Sequence, residues 1–335
     1  AGIHTNHSLP EPLVEWEYVH LPASERRGLD LERFRSELMV RATRLVRPWC
    51  SVFMAVSACS PFAWEEVDGE PQVVLTPHDS NRLLTFPNPP EIDAPGLYAS
   101  HTHYLRISYR LIEEGHRIGG NNWTPVRARS GVVPVLRNLE TTSEQLAELY
   151  RRGLYAPDGG NGLEEAERLL TLENLRARID LPLSRIEVRT DEGWEPPQLA
   201  VARLALKQLL LYRIAADPGY GSGYRYTAAD VDRARRNERR AAERGLEAEV
   251  EHPFTAERCT VRALLGELLA EVRPLAAELG WTEWLEPLEE MAAGGPNPAA
   301  ALRREVLDRL GADARTTLLG NVVVPRELVL EIASR

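Results

Sequence analysis

The sequence predicts an α+β protein, and three observations lead there. Strand-like alternation is confined to the first 195 residues. From about residue 196 the chain reads as one amphipathic helix after another. Three of the early strand-like segments carry a polar row opposite an apolar one, the pattern of a sheet with one face packed on helices and one face open. With 335 residues, 43% hydrophobic and 27% charged, the chain is long enough to bury a substantial core, as one large domain or two ordinary ones.

Residues 2–9, Gly-Ile-His-Thr-Asn-His-Ser-Leu, favour a strand that stops at Pro10. Asp30 is placed to cap a helix whose buried stripe is Leu31, Phe34, Leu38, Ala42, Leu45 and Val46, with Pro48 as a kink or break. Residues 60–98 hold many prolines, including Phe86-Pro87-Asn88-Pro89-Pro90, and read as a long ordered loop. A helix is expected at about 101–115, with Tyr104, Ile107, Leu111 and Ile112 on one face and Gly115 closing it. Strands are expected at 117–129 and 179–190. Helices follow at 197–216, 227–245, 260–279, 281–293 and 298–310, broken by Asp217-Pro218-Gly219, Gly245, Gly280 and Gly294-Gly295-Pro296. Glu195-Pro196-Pro197 separates a sheet-containing core, 1–195, from a helical part, 196–335. One domain whose helices cover the sheet is an equal reading.

Composition narrows the function. Forty basic against fifty acidic residues leave a net charge of −10, which argues against a general binder of nucleic acid or of an anionic membrane surface. The apolar run from Trp49 to Cys59 is too short to span a bilayer. Three cysteines, Cys50, Cys59 and Cys259, form neither a disulfide framework nor a CxxC pair, so a reducing, cytoplasmic setting is expected. All basic residues but Lys207 are arginine. The chain opens on Ala1-Gly2-Ile3-His4 without a turn or a cap, in the middle of a strand pattern. Further sequence upstream is therefore expected, and with it a strand beside residues 2–9.

In Arg185-Ile186-Glu187-Val188-Arg189, alternation sets Arg185, Glu187 and Arg189 on one face and Ile186 and Val188 on the other. In Asn121-Asn122-Trp123-Thr124-Pro125-Val126-Arg127-Ala128-Arg129, the shared face holds Asn121, Trp123, Arg127 and Arg129, and Pro125 marks an edge or a bulge. Arginines beside an aromatic ring suit a bidentate grip on phosphate or carboxylate; the plain alternative is a solvated arginine pair. In the first strand His4, Asn6 and Ser8 share a face and Ile3 the other. His4 and His7 point to opposite faces, so they form no metal pair. Each row alone is compatible with a solvated sheet face. Three together suggest a face built to hold cations and anions side by side.

Competing signatures fail. Neither a phosphate-binding GxxxxGK[ST] loop nor GxGxxG nor GxSxG is present. The glycine-rich stretch 218–224 lacks a strand–loop–helix context. The arginines at 233, 235, 236, 239, 240 and 244 alternate with Asp230, Asp232, Glu238 and Glu243, a solvated helix with i,i+4 pairs.

These segments resemble the glutamate–cysteine ligases, or γ-glutamylcysteine synthetases, and most of all their cyanobacterial-type branch. The resemblance rests on Gly2-Ile-His-Thr-Asn-His-Ser-Leu9, Ser57-Ala-Cys-Ser-Pro-Phe62, Gly119-Gly-Asn-Asn-Trp-Thr-Pro-Val-Arg-Ala-Arg-Ser130 and Ile179-Asp-Leu-Pro-Leu-Ser-Arg-Ile-Glu-Val-Arg-Thr-Asp191. Ala234-Arg-Arg-Asn-Glu238 and Gly245-Leu-Glu-Ala-Glu249 add to it. It implies a curved antiparallel sheet related to that of glutamine synthetase, with the active site in a funnel on the polar face. It implies ATP- and Mg²⁺-dependent ligation: ATP phosphorylates the γ-carboxylate of glutamate, and the amine of cysteine attacks the acyl phosphate, the first step of glutathione-type thiol synthesis. Carried over by position, His4 and Glu187 become metal ligands, with Mn²⁺ able to replace Mg²⁺. Arg189 contacts the phosphoryl group and Arg127 sits beside the phosphates. Arg82, Trp123 and Arg129 face the substrates. The family also places metal-binding glutamates on a strand upstream of the Gly-x-His segment, which this sequence does not include. Two other readings remain open: a related ligase with a different amine, and a catalytically silent homologue with a binding role.

Overall fold

The computed structural model describes residues 2–26, 28–85, 93–101, 103–104, 107, 177–180, 185–193, 196–311 and 314–334. The expected strand at 117–129 lies outside the described residues, and so does most of the helix at 101–115.

Strand β1 (Gly2–Ser8) leads into helix α1 (Glu11–His20), the short α2 (Ala23–Arg26) and α3 (Leu31–Val46). Asp30 caps α3 as its sequence predicts, its carboxylate accepting from the Arg33 amide at 2.7 Å. Pro48 breaks the helix into a 3₁₀ turn, Arg47–Trp49, after which the chain resumes as α4 (Cys50–Ser57). Every residue of α4 is buried, so the apolar run is the central core helix.

The region 60–98 corrects the sequence reading. In place of a loop it holds a hairpin, β2 (Phe62–Val67) and β3 (Glu70–Leu75), and a short helix α5 (Asn81–Thr85). The turn residues Asp68 and Gly69 have φ of 55° and 82°, the primed-turn geometry for which Asp-Gly is suited. A second correction concerns 179–190. The chain there forms two antiparallel strands, β4 (Ala177–Asp180) and β5 (Arg185–Glu192).

The helical half follows as expected: α6 (Pro197–Ala216), α7 (Ala228–Arg244), α8 (Val261–Leu279), α9 (Glu286–Ala292) and α10 (Pro298–Leu310). Thr227 and Asp230 form a reciprocal capping box on α7, and Gly280 ends α8 in a left-handed cap. The segment 281–293 begins as a 3₁₀ turn, Thr282–Leu285. The hairpin β6 (Glu249–Glu251) with β7 (Arg258–Thr260), strand β8 (Val322–Val323) and helix α11 (Arg326–Ala333) were not anticipated. The first two are only two or three residues long, too short for a periodic signal.

The first sheet has the order β1-β5-β4, the second β2-β3-β8, and all their pairings are antiparallel. One hydrophobic core runs from Leu9 and α3–α4 through Ile186 and Val188 of β5 to α6, α7, α8 and α9. A smaller cluster, Leu75, Leu302, Val306, Val324 and Ile332, lies beneath the second sheet. Among the described residues no helix is long and apolar enough to cross a membrane.

The core face of β1 carries one titratable group. His7 is 4% exposed, with Nδ1 3.3 Å from Gln208 Oε1. Burial, helped by the nearby Lys207 charge, lowers its pKa to about 4. The unfolded chain therefore takes up this proton between pH 6.5 and about 4 while the native state refuses it. The stability His7 contributes is complete above pH 6.5 and is lost as pH falls towards 4. The loss is about 3 kcal/mol. Urea unfolding at pH 7 and pH 4.5 should show a smaller drop for His7→Gln than for wild type. An equal drop in the two proteins would assign the acid sensitivity elsewhere.

Candidate active site

The first sheet separates its two faces as alternation requires. On β1, Thr5 and His7 are buried, as is Leu9 just beyond it, while His4, Asn6 and Ser8 are exposed. Asn6 stands opposite Glu187 and Ser8 opposite Arg185, whereas Thr5 and His7 face Val188 and Ile186. Opposite residues of an antiparallel pair share a face. The polar rows of β1 and β5 therefore merge into one surface, and the apolar rows enter the core. Ile3, expected on the core side, is 39% exposed.

At the centre of that surface lies Glu187. Its backbone is held in the middle strand, and its side chain is 5% exposed. His4 Nδ1 lies 2.9 Å from Glu187 Oε1, and Arg189 Nη1 donates to the same oxygen at 2.9 Å. The His4 side chain is 39% exposed and that of Arg189 20%. A carboxylate withdrawn this far from water needs compensating charge. Here compensation comes from groups that themselves reach solvent.

The geometry breaks strict alternation just beyond this point. Ile3 pairs with Asp191 but Thr5 with Val188. His4 therefore faces two residues, Arg189 and Thr190: a β-bulge, which turns the strand and reverses its parity. Alternation alone would put Asp191 beside Glu187 and Arg189. Instead Asp191 is fully buried on the core side, where it pairs with Lys207 of α6 and with Arg203 Nη1 at 3.0 Å. Burial raises the carboxyl pKa, but Lys207 and then Arg203 more than offset this and leave it below the ordinary value. Burial lowers the pKa of Lys207, with Asp191 opposing.

Glu192 ends the strand and links it to the Ser-Pro-Phe segment. Its Oε2 accepts from the Cys59 amide at 2.6 Å, and its Oε1 from Ser60 Oγ at 2.7 Å and Ser80 Oγ at 2.6 Å. Ser60 Oγ also accepts from the Arg82 amide at 3.3 Å, so Glu192 anchors the turn that opens α5. On α5, the Arg82 Nη1 atom is buried without a hydrogen-bond partner among the described residues. A buried guanidinium nitrogen with spare donors is suited to an anion.

His4, Glu187 and Arg189 are thus brought together, and Arg82 is carried by a helix anchored at the end of the same strand. Trp123, Arg127 and Arg129 lie outside the described residues. Asp191, Glu192, Lys207 and Arg203 were missed as a supporting layer. One signal was legible: the single lysine of the chain sits in an apolar stretch, Leu206-Lys207-Gln208-Leu209.

As for a metal, His4 Nδ1 and Glu187 Oε1 are spaced like neighbouring ligands of an octahedral ion whose bonds are about 2.1 Å. They fit a divalent cation as a partial set. Among the described residues no three His, Cys, Asp or Glu side chains converge on one point. An open cleft of about 370 Å³ lies elsewhere, lined by Glu17, Phe34, Glu37, Arg41, Arg44 and neighbours, with no residue of β1 or β5.

No curated protein matches the chain. Its structure is similar to that of a glutamate–cysteine ligase from Francisella tularensis, solved in complex with AMP, with a TM-score of 0.56 and 12% sequence identity. The superposition covers 99% of this chain and 66% of that one, so the chain spans just under two thirds of its relative's length. At this identity the likeness is one of fold. The sequence itself matches the profile of glutamate–cysteine ligase family 2 over residues 32–318, most of its length, and the chain therefore belongs to that family.

Proposed function

We propose that this protein ligates the γ-carboxylate of L-glutamate to the amine of L-cysteine at the expense of ATP, by way of γ-glutamyl phosphate. The observation that carries the reading is Glu187, a nearly buried carboxylate held between His4 and Arg189 on the exposed face of the sheet, in a chain of this family. On this reading that face forms a wall of a funnel-shaped active site on a curved sheet, in the manner of the cyanobacterial-type ligases. The reaction is the first step of glutathione-type thiol synthesis in the cytoplasm.

The chemistry assigns roles to this chain's residues. Glu187 and His4 hold Mg²⁺ or Mn²⁺ by one carboxylate oxygen and one imidazole nitrogen. One carboxylate completed by waters and phosphate oxygens is ordinary for Mg²⁺; the imidazole is the unusual partner for so hard an ion. When bound, the cation neutralises triphosphate charge. Arg189 sits 2.9 Å from Glu187, and its planar fork suits the oxygens of the phosphoryl group as charge builds on them. Arg82, whose Nη1 has no hydrogen-bond partner among the described residues, holds a carboxylate of glutamate. Arg127 is assigned to the phosphates, with Trp123 and Arg129 to the substrates. No role for nucleic acid or a membrane enters.

ADP release with glutamate, Mg²⁺ and a panel of amines tests the reading. Glutamate-dependent release stimulated most by cysteine is the expected result. Stimulation by another amine would keep the acyl-phosphate chemistry and replace cysteine. The absence of ADP release with every amine, in a folded protein, would remove the catalytic reading.

A further inference from the structure

We infer that Lys207 is a positioning residue for Arg189: by tying Asp191 of β5 to Thr5 of β1 beneath the strand bulge, it keeps Arg189 on the exposed face beside Glu187. This rests on the reading of that face as the site of ligation. The argument starts from the bulge. His4 stands opposite both Arg189 and Thr190, so the backbone at Arg189 has no one-to-one partner to hold its direction. Something must fix where the strand goes next.

Two residues on, Asp191 is pulled into the core. Lys207 Nζ donates to Asp191 Oδ2 and, at 3.2 Å, to Thr5 Oγ1. Thr5 Oγ1 in turn donates to the Val188 carbonyl, 3.5 Å away, on the near side of the bulge. One ammonium group thus spans the irregularity, joining β1 before it to β5 after it. The third side of its cage is the Phe53 ring of α4, 5.4 Å from Nζ. The site suits lysine in particular. A compact ammonium fits between a hydroxyl, a carboxylate and an aromatic face, whereas a planar guanidinium does not. In a chain with 40 basic residues of which one is lysine, that residue occupies this cage. Removing Lys207 alone leaves Asp191 buried with Arg203 Nη1, 3.0 Å away, as a remaining cation, but severs the link to Thr5. Its effect on strand direction is specific.

The test combines structure with a double-mutant cycle. In a crystal structure of Lys207→Met, the contact between Arg189 Nη1 and Glu187 Oε1 should be lost. In ligation assays kcat should fall about tenfold while the KM for ATP stays within about twofold. In an Arg189→Lys background the same substitution should lower kcat by less than about twofold, because the group it positions has already been impaired. The cost in Tm should be equal in both backgrounds. Thr5→Val, nearly isosteric, serves if Lys207→Met fails to fold; it should lower kcat about threefold with the same loss of additivity. An Arg189–Glu187 contact retained in the variant structure, or kcat effects that simply multiply, would overturn the inference. If the wild-type protein ligates glutamate to no amine, the proposed function fails, and the contact alone then decides whether Lys207 positions Arg189.

Discussion

Glu187→Gln should abolish ligation, lowering kcat at least about a hundredfold, while leaving the protein folded. Glutamine keeps the shape and volume of the side chain and removes its charge. At Oε1 the loss is felt by two partners at once, His4 Nδ1 and Arg189 Nη1, each 2.9 Å away. With the carboxylate gone, the site no longer offers an anionic ligand to a divalent cation, and the Arg189 guanidinium faces a neutral amide. The fold should survive, because both partners reach solvent and can rehydrate. Far-UV circular dichroism and Tm establish folding, and ADP release at increasing Mg²⁺ gives the activity. Near-normal turnover at saturating Mg²⁺ would show that Glu187 holds no cation and that the proposed roles on this face must be reassigned.

The second large effect is on stability. Arg47→Met should destabilise the native state by about 3–5 kcal/mol. Arg47 is fully enclosed in the 3₁₀ turn between α3 and α4. It reaches Asp93 Oδ2 at 2.9 Å through Nη2 and pairs with Glu238 of α7 through Nη1. Tyr226 Oη donates to the other oxygen of Asp93, and Arg235 Nε lies 3.3 Å from Asp93 Oδ2. Burial alone would lower the Arg47 pKa; Glu238 and Asp93 reverse that and hold the guanidinium charged. Methionine fills the space but removes the buried guanidinium that Asp93 and Glu238 share, leaving Asp93 to Tyr226 and Arg235. Urea unfolding at pH 7 measures the loss. A change under about 1 kcal/mol would mean that Arg235 and water take over the compensation, and that the network is not a keystone of the core.

Much of this was legible in the sequence. The helical segments after residue 196 were readable because capping residues, glycine stops and a 3.6-residue apolar stripe agree with one another. Asp30, Thr227 and Gly280 act locally, within one turn of their own helix, and local interactions are what a linear pattern records. The polar rows of β1 and β5 were readable for the same reason, since alternation is a property of one strand. The hairpin at Asp68-Gly69 carried a turn signal that the surrounding prolines obscured.

Two things were decided only in three dimensions. One is which rows share a face, since His4 and Glu187 are separated by most of the chain and meet through the register of β1 on β5. The other is the direction of Asp191. Read along the strand, Asp191 belongs with Glu187 and Arg189. The bulge opposite His4 adds one residue to one side of the ladder and reverses the parity beyond it. A period of two makes every side chain after an insertion change faces, so a single extra residue in the ladder separates the carboxylate held between His4 and Arg189 from the one that disappears beneath Lys207. No residue type announces that insertion; it arises where two distant segments must pair while Lys207 and Arg203, on a helix laid across them, draw Asp191 inward.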